Sequence, residues 1–468
     1  MLKVFQHHIP LSALAELLAD GLFCFLAVVL AAQGLSGVQI GDQLVLGTVP
    51  SQLLLHAAAF ALLMSLLYSV FGIYRSSAVS VGLGVLLSRA SLAVLVGAGI
   101  AYSVISTEGL TDRASELLFP VIVYMLLGLV VVRLLFHVVR RAVVGSPRVL
   151  IVGTGKEALS IATDLRLPGR AHRSVVGFYP AGGGDGAPGA GRVFDRDESI
   201  SSLVRRFQID EVIVAVREQR GGAVPMDQLL ECRLQGTPVL DLAGFYERTK
   251  GQVPTESLKA SWLVYGHGFV QGRVRTAVKR AFDVVCSTML LVLASPVMLV
   301  TALLIRLDSP GPIIYRQERV GLGGRSFMCL KFRSMCTDAE RDGVARWASK
   351  NDARVTRVGA FIRKCRIDEL PQLISVLKGE MSLVGPRPER PSFVAQLREQ
   401  IPFYDIRHSV KPGVTGWAQV RYSYGASVED ARRKHEFDLY YVKNNSLFLD
   451  LLVLVETVSV VLFREGAQ

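Results

Sequence analysis

The chain has 468 residues, half of them hydrophobic, and its mean hydropathy of +0.38 is too high for a purely soluble protein. The formal net charge is +12, and ten of these excess positive charges lie from Gln271 onward, which favours phosphates or an anionic membrane face as partners of that half. The six cysteines show no Cys-x-x-Cys spacing and no histidines at zinc spacing, so reduced thiols in the cytosol are expected rather than a disulfide framework.

Four apolar stretches open the chain, at about 11–33, 51–73, 82–105 and 116–138. Each is long enough at ~1.5 Å per residue to cross a hydrocarbon core of about 30 Å. Glu16, Asp20 and Arg133 interrupt them and are expected to face other helices or to lie near an interface. The positive charges favour cytoplasmic placement of both ends of this bundle, because they lie in the second loop and after the fourth stretch.

A change of pattern at Pro147 predicts a second domain. The segment RVLIVGTGKEALSIATDL reads as a strand, a Gly-x-Gly-x-x-Ala turn at 153–158 and a helix, and the strand-like runs SVVGFY, DEVIVAV and TPVLDL continue the alternation. A doubly wound, Rossmann-like domain is therefore expected. The turn is typical of dinucleotide binding, but it also occurs where glycines only permit a tight turn, and the acidic residue expected after the second strand is missing.

A fifth apolar segment runs from Ala281 to Ile305. Its length alone indicates a membrane span. Ser295-Pro296 lies past its middle, however, where proline removes a helical hydrogen bond, and cations flank both ends without a preference for one side. We predict a re-entrant helix over 279–306, broken at Ser295 and Pro296, with simple spanning as the alternative.

The remaining sequence is rich in cations that surround two adjacent carboxylates. A predicted hairpin or loop over 309–335 contains several arginines and Lys331, and the cations continue to Arg366. Asp368 and Glu369 follow at the start of a predicted helix that buries Leu370, Leu373, Ile374 and Leu377. They are either helix caps or a nucleophile and a metal ligand. Because opposite charges lower a carboxyl pKa, both are expected to stay ionised.

Four segments carry a resemblance to a known family: KFRSM, DELPQLISVLKGEMSLVGPRPERP, RHSVKPGVTGWAQV and FDLYYVKNNSLFLDLLVL. Over about 275–465 they resemble the bacterial sugar transferases, which are monotopic polyprenyl-phosphate sugar-1-phosphate transferases, and the upstream bundle and α/β domain resemble the larger members. The resemblance implies transfer of a hexose-1-phosphate from a UDP-sugar to undecaprenyl phosphate, with release of UMP, at the start of exopolysaccharide or O-antigen synthesis.

The resemblance also implies residue roles. Asp368 would be the nucleophile that forms a sugar-phosphoryl-aspartate, and Glu369 would help to hold Mg²⁺ as the cofactor. The residues expected around the diphosphate and the metal are Lys331, Arg333, Arg363, Arg387 and Asp438. One departure concerns the positions after GWAQV, where many members have Asn-Gly-Arg and this chain has Arg421-Tyr422-Ser423.

The expected architecture is an α-helical transmembrane bundle over 1–145, a Rossmann-like α/β domain over 146–270 and a mixed α/β catalytic domain with the re-entrant helix over 271–468. The expected location is the bacterial inner membrane with the soluble domains in the cytoplasm. The expected partners are the UDP-sugar, undecaprenyl phosphate and membrane lipid, with a homo-oligomer left open and no nucleic acid. The segment SLFLDLLVLVETVSVVLF is expected to be an amphipathic interfacial helix.

Two other classes of protein fit less of the sequence. A transporter would use the apolar segments for passage, but only four clean spans are present and more than half of the chain has a soluble character. A nucleotide-sugar redox enzyme or dehydratase would rest on the glycine turn, but the tyrosine and lysine chemistry of such enzymes is not evident in the α/β segment.

Overall fold

The computed structural model describes residues 2–4, 7–9, 11–36, 51–74, 83–107, 111–142, 146–166, 173–181, 191–216, 224–255, 258, 272–337, 352, 354–422, 425 and 427–463. The chain forms two compact units that meet in sequence at Leu242 and Ala243. The second unit therefore begins before the expected boundary at residue 270. The segment after Ala243 is joined to this unit, since Gly251 O accepts a hydrogen bond from Trp417 Nε1 at 2.7 Å.

Four long helices make up the N-terminal part of the first unit: α1 (Leu11–Ser36), α2 (Ser51–Val70), α3 (Leu83–Thr107) and α4 (Thr111–Ala142). Two short strands, β1 (Leu2–Val4) and β2 (His7–Ile9), precede them. Helix α1 packs against α2 and α4, and α3 packs against the same two helices. Each helix contains an apolar stretch of 19 or 20 residues that is long enough to cross a membrane, as the four expected stretches require.

The charged residues of the bundle meet inside it. Arg133 on α4 donates to Glu16 and to Asp20 on α1, each at 2.6 Å, and Tyr74 donates to Asp20 at 2.8 Å. These contacts confirm that the charged residues face other helices. They tie α1 to α4, because an ionised group exposed to lipid would be far less stable than a paired one.

The α/β domain contains four parallel strands, β3 (Arg148–Val152), β4 (Ser174–Tyr179), β5 (Glu211–Val214) and β6 (Val239–Asp241). The helices among them are α5 (Lys156–Arg166), α6 (Ile200–Phe207) and α7 (Met226–Leu234), and α8 (Leu242–Lys250) follows β6. The order across the sheet is β4-β3-β5-β6. The domain is thus doubly wound, but its second, first, third and fourth strands lie in the flavodoxin-like order and not in the Rossmann order.

The glycine turn after β3 has a packing explanation. Gly153 adopts a φ of +125°, and a Cβ atom there would approach Ala215 O to 3.0 Å. Its N–H donates to Tyr179 O at 2.8 Å. Close approach of three strands therefore requires glycine at this position whether or not a nucleotide binds.

The second unit is built from helices and two small sheets. Its helices are α9 (Arg273–Asp308), α10 (Arg357–Lys364), α11 (Gln372–Lys378), α12 (Pro391–Gln400), α13 (Trp417–Arg421), α14 (Val428–Asn444) and α15 (Leu447–Phe463). Strands β7 (Ile314–Val320) and β8 (Ser326–Phe332) form the expected hairpin, and β9 (Ser382–Val384) pairs in parallel with β10 (Gly413–Thr415). The core lies among α11, α14, α15 and the β9–β10 pair.

Helix α9 runs through Ser295 and Pro296 with Pro296 inside it, and the membrane break expected at these two residues stays a prediction. Pro296 has no N–H for Val292 O, and the Ser295 hydroxyl donates to that carbonyl at 2.8 Å instead. The local cost of the proline is thereby reduced, which explains why the helix continues.

Both ends of α9 pack on the second unit. Near its start, Asp283 is buried and its Oδ1 accepts from Ser382 Oγ at 3.1 Å. Near its end, Ile305 is buried against Phe332 and Ile362. The stretch between them is largely exposed and apolar, including Leu293 at 69% and Leu299 at 72%. This helix therefore presents its middle to the surroundings while one domain holds both of its ends.

Helix α15 has buried acids and exposed apolar residues. Asp450 accepts from Lys279 at 2.7 Å and from Tyr441 at 2.6 Å, and Glu456 accepts from Arg421 at 2.6 Å. Its exposed side includes Leu451, Val458, Val461 and Leu462. The two acids thus do not mark a water-facing side, and the outer surface of α15 is suited to lipid.

Candidate active site

Asp368 and Glu369 lie in a 3₁₀ turn, Ile367–Glu369, that joins α10 to α11. Arg366 precedes the turn with a φ of 58°, in the left-handed region that few residues other than glycine adopt. This conformation ends α10 and leads the chain into the turn. Both carboxylates are buried, with 8% of each residue exposed.

Helix capping does not account for Asp368. Helix α11 begins at Gln372, later than expected, and its N-cap is Pro371 without any side-chain cap. No described residue donates a hydrogen bond to the buried Oδ1 of Asp368. Buried carboxylate oxygens are normally satisfied, so this orphaned atom is suited to meeting a ligand.

Glu369 is held by two cations from separate elements. Lys331 on β8 donates from Nζ to Glu369 Oε1 at 2.9 Å, and Arg387 in the Pro-Arg-Pro corner donates to the same oxygen at 2.8 Å. The Arg387 side chain remains 32% exposed. The structure therefore brings four of the expected residues together: Lys331, Asp368, Glu369 and Arg387.

The two adjacent carboxyl groups have pKa shifts of opposite sign. Burial acts to raise the pKa of Glu369, but Arg387 and Lys331 outweigh it and hold that pKa well below its usual range. Burial, followed by the negative charge of Glu369, raises the pKa of Asp368 although the same cations act against the rise. The expectation of lowered pKa values is correct for Glu369 and wrong for Asp368, because both cations donate to Glu369.

Arg333 is used within the protein fold. Its guanidinium donates to Pro310 O at 2.8 Å, to Ser309 O at 2.6 Å and to Ile305 O at 3.3 Å. These carbonyls lie at and beyond the C-terminal end of α9, where Ile305 O also accepts from Ser309 N at 3.3 Å and the Ser309 and Pro310 carbonyls follow the last helical residue. Arg333 thus caps this helix. An arginine that binds phosphate would instead keep its donors accessible to the phosphate.

Arg363 lies in the last turn of α10 and is half-buried. Among the residues that the structure describes, its side chain has no hydrogen bond or ion pair. Its role in binding phosphate remains a prediction.

Asp438 lies on α14 and is 2% exposed. Its Oδ2 accepts from Arg407 at 2.8 Å. Burial raises the pKa of Asp438 to about 6, and the positive charge of Arg407 opposes the rise. Asp438 therefore meets an internal cation, where the resemblance implied a contact with the diphosphate and the metal.

Two residues of this region were not among the candidates from the sequence. Arg366 acts electrostatically on both carboxylates, and its position directly before them in the cation run was a usable signal. Arg407 lies in the quoted RHSVKPG segment, but its partners Arg387 and Asp438 are 20 and 31 residues away in sequence. No local pattern could have revealed these two contacts.

At two of the three positions where the sequence departs from Asn-Gly-Arg, the side chain contacts other residues of the domain. Arg421 donates to Glu456 and lies over the Trp417 ring at 4.3 Å, and Tyr422 donates to Asp430 at 2.9 Å. Ser423 lies outside the described residues. Both described side chains are thus engaged within the domain.

The carboxylates are compatible with a divalent cation that the substrate helps to hold. Among the described residues, no three His, Cys, Asp or Glu side chains form a group that could hold a metal ion by themselves. Both cations on Glu369 contact Oε1, which leaves Oε2 available, and Oδ1 of Asp368 is orphaned. Mg²⁺ is commonly bound through one or two carboxylates together with substrate phosphates, so this donor set fits it.

These features define a membrane protein whose second unit has a cation-lined carboxylate centre. The profile of the family described as "Bacterial sugar transferase" matches residues 274–464. The chain is 44% identical over 191 residues to a UDP-glucose:undecaprenyl-phosphate glucose-1-phosphate transferase of Caulobacter vibrioides, a match that covers 40% of this chain and 71% of that protein. The chain belongs to the bacterial sugar transferase family.

Two further relatives extend the comparison. A UDP-N-acetylgalactosamine-undecaprenyl-phosphate N-acetylgalactosaminephosphotransferase of Aeromonas hydrophila is 46% identical over 240 residues, covering 51% of this chain and 56% of that protein. An undecaprenyl-phosphate glucose phosphotransferase of Komagataeibacter xylinus is 36% identical over 328 residues, covering 68% of this chain and 60% of that protein. The chain thus spans less than two thirds of the length of these two relatives.

Proposed function

We propose that this protein transfers a hexose-1-phosphate from a UDP-sugar to undecaprenyl phosphate, releases UMP and so initiates exopolysaccharide or O-antigen synthesis. The observation that carries the proposal is the orphaned, buried carboxylate of Asp368 beside Glu369 with its two cations. The names of the relatives support the substrate class.

The proposed chemistry has two displacement steps. An Asp368 carboxylate oxygen attacks the β-phosphorus of the UDP-sugar, the bond from that phosphorus to the bridging oxygen breaks, and UMP leaves. A phosphate oxygen of undecaprenyl phosphate then attacks the phosphorus of the sugar-phosphoryl-aspartate and frees the Asp368 carboxylate. The raised pKa of Asp368 supports this role, since a more basic and less solvated carboxylate is a stronger nucleophile.

The cations around Asp368 would reduce the repulsion between a carboxylate and a diphosphate. Arg387 is partly exposed and sits between two prolines, so its guanidinium is positioned for a bidentate contact with phosphate. Lys331 would act beside it as a point charge. Glu369 would help to hold a Mg²⁺ ion together with the substrate, and the chemistry supplied there would be neutralisation of the charge that develops on the diphosphate.

The proposed membrane placement is supported by α9 and by the acceptor. A polyprenyl phosphate keeps its tail in the bilayer and its phosphate at the surface, and we place the site at the cytoplasmic face of the inner membrane. One domain holds both ends of α9, whereas its apolar middle is exposed. This arrangement supports a helix that enters the membrane and returns to the same side.

A donor panel tests the proposal. Membranes that contain the protein are incubated with undecaprenyl phosphate and with radiolabelled UDP-glucose, UDP-galactose or UDP-N-acetylgalactosamine. Label from at least one donor should become organic-soluble, with one UMP released per sugar transferred. Organic-soluble label without UMP would contradict the reaction, and absence of transfer from every UDP-sugar would reject the proposed function.

A further inference from the structure

The Pro-Arg-Pro corner is held through its carbonyl groups. Four consecutive carbonyls accept hydrogen bonds: Pro386 O from Gly413 N at 3.0 Å, Arg387 O from Arg407 at 2.9 Å, Pro388 O from Arg319 at 3.1 Å and Glu389 O from Val320 N at 2.9 Å. Two residues of this corner are prolines without an N–H group. The conformation that aims the Arg387 side chain therefore depends on donors from outside the corner.

Arg407 is the donor that reaches Arg387 itself. Its NH2 group bridges Arg387 O at 2.9 Å and Asp438 Oδ2 at 2.8 Å, while its NH1 group donates to the Tyr404 hydroxyl at 2.5 Å. The guanidinium is almost completely buried, with 6% of the side chain exposed. Its contacts thus leave it fixed inside the domain and remote from solvent.

Asp438 neutralises this internal cation. A buried guanidinium without a counter-ion would be strongly destabilised, and the Asp438 carboxylate is its ion-pair partner within the described part of the chain. Loss of the Asp438 charge should therefore release Arg407 first and the Arg387 backbone second.

We propose that Arg407 and Asp438 are positioning residues that fix the backbone of Arg387 and thereby place its guanidinium against Glu369. This inference rests on the proposed function and assigns Asp438 a different part in it from a diphosphate contact. The chain of contacts runs from Asp438 through Arg407 to Arg387 and ends at Glu369 Oε1.

A double-mutant cycle tests whether Asp438 acts through Arg387. Asp438→Asn should lower kcat/KM for the UDP-sugar by about tenfold or more, since loss of one partner of a buried charge pair is costly. In an Arg387→Ala background, the same change should cost less than about twofold, because the positioned group is already absent. If the loss of kcat/KM in the double variant equals the product of the losses in the two single variants, the proposal is overturned.

The chain offers a matched control. Arg398 and Asp405 form an ion pair of similar length, 2.7 Å, but both side chains are more than half exposed. Asp405→Asn makes the same chemical change as Asp438→Asn at a solvated pair. It should leave kcat/KM unchanged, because exposed pairs contribute little.

Hydrogen exchange gives a readout that needs no substrate. Amide exchange at Gly413, whose N–H donates to Pro386 O at the corner, should accelerate by about tenfold or more in Asp438→Asn and stay unchanged in Asp405→Asn, while the β7–β8 hairpin keeps its protection. Unchanged exchange at the corner would refute the positioning role. This result is independent of the donor panel, so failure of the proposed function and failure of this inference can be told apart.

A second variant covers the case in which Asp438→Asn does not fold. Arg407→Lys keeps the positive charge for Asp438, but one ammonium group cannot reproduce the planar set of donors to Arg387 O, Asp438 and Tyr404. Faster exchange at the corner in a folded Arg407→Lys protein is the expected result. Wild-type exchange in that variant would also overturn the proposal.

Discussion

Arg387 and Arg407 each donate to a buried carboxylate at 2.8 Å, yet the two sites differ in almost every other respect. The Arg387 side chain is 32% exposed, whereas that of Arg407 is 6% exposed. The pKa of Glu369 is lowered because Lys331 and Arg366 act on it together with Arg387. The pKa of Asp438 is raised because burial dominates and the negative charge of Glu389 opposes the attraction of Arg407.

The difference teaches that a short ion pair does not by itself define a catalytic site. Glu369, beside the partly exposed Arg387, is surrounded by more positive charge than its own negative charge balances. A bound diphosphate can interact with the remaining positive charge. The Asp438 carboxylate, beside the buried Arg407, accepts a hydrogen bond from that arginine and also meets the negative charge of Glu389. The predictions below separate these two kinds of site, which we call the open site (Asp368, Glu369, Lys331 and Arg387) and the enclosed site (Arg407 and Asp438).

The largest effect is expected from the nucleophile of the open site. Asp368→Asn should lower turnover by about 10³-fold or more and remove any covalent sugar-phosphate adduct, since a neutral amide is a very poor nucleophile. Transfer of label to lipid and mass spectrometry of the protein measure the two effects. A folded variant that retains more than trace activity would show that Asp368 is not the nucleophile.

Removal of divalent metal should have the next largest effect. EDTA should lower activity by about 10²-fold or more, and Mg²⁺ or Mn²⁺ should restore it, because two phosphates and an acceptor phosphate bring much negative charge together. The Mg²⁺ concentration for half-maximal activity should rise in Glu369→Gln and stay the same in Asp438→Asn. Full activity in the chelator would remove the metal role of Glu369.

A shift of the pH profile should follow from Glu369→Gln. The negative charge of Glu369 raises the pKa of Asp368, and its loss also leaves Lys331 and Arg387 free to act on Asp368. Both changes lower the pKa of Asp368, so the acidic limb of kcat/KM should move to lower pH while the plateau falls by about tenfold. Asp405→Asn serves as the control. A limb that moves to higher pH would contradict the assigned coupling.

Two arginines expected at the phosphates should behave differently. Arg333→Gln should lower the unfolding midpoint in detergent, because its loss leaves the Ser309 and Pro310 carbonyls after α9 without their Arg333 donor, at ~1–3 kcal/mol. Arg363→Gln should leave the midpoint unchanged and raise KM for the donor a few-fold. A thermal melt and a donor titration on both variants measure the contrast. A normal midpoint in Arg333→Gln, or a normal KM in Arg363→Gln, would contradict the respective assignment.

The smallest effect concerns helix α9. Val278→Cys and Leu307→Cys place thiols at exposed positions before Lys279 and after Arg306, in a background in which the exposed Cys336 is serine. Both should react with an impermeant reagent from the cytoplasmic side only. Labelling of the two positions from opposite sides would establish a fifth span.

Much of the architecture follows from local sequence patterns. Apolar runs of about 20 residues predict the four helices of the bundle because the thickness of a bilayer sets that length. Residue spacing likewise predicts the β3 strand with its glycine turn, the β7–β8 hairpin and the acidic pair at 368–369. Residue spacing does not predict the strand order in the α/β domain, because the alternation of strands and helices is the same in the flavodoxin-like and Rossmann orders.

The sequence by itself determined the apolar segments, the two soluble regions and the identity of the residues that can act on phosphate. Only the tertiary structure decided how those residues are divided between the open site and the enclosed site. Lys331 and Arg387 reach Glu369 from positions 38 and 18 residues away, and Arg407 reaches Asp438 across 31 residues. Each pKa depends on burial and on which oxygen receives these distant donors, and neither quantity is a local property of the chain.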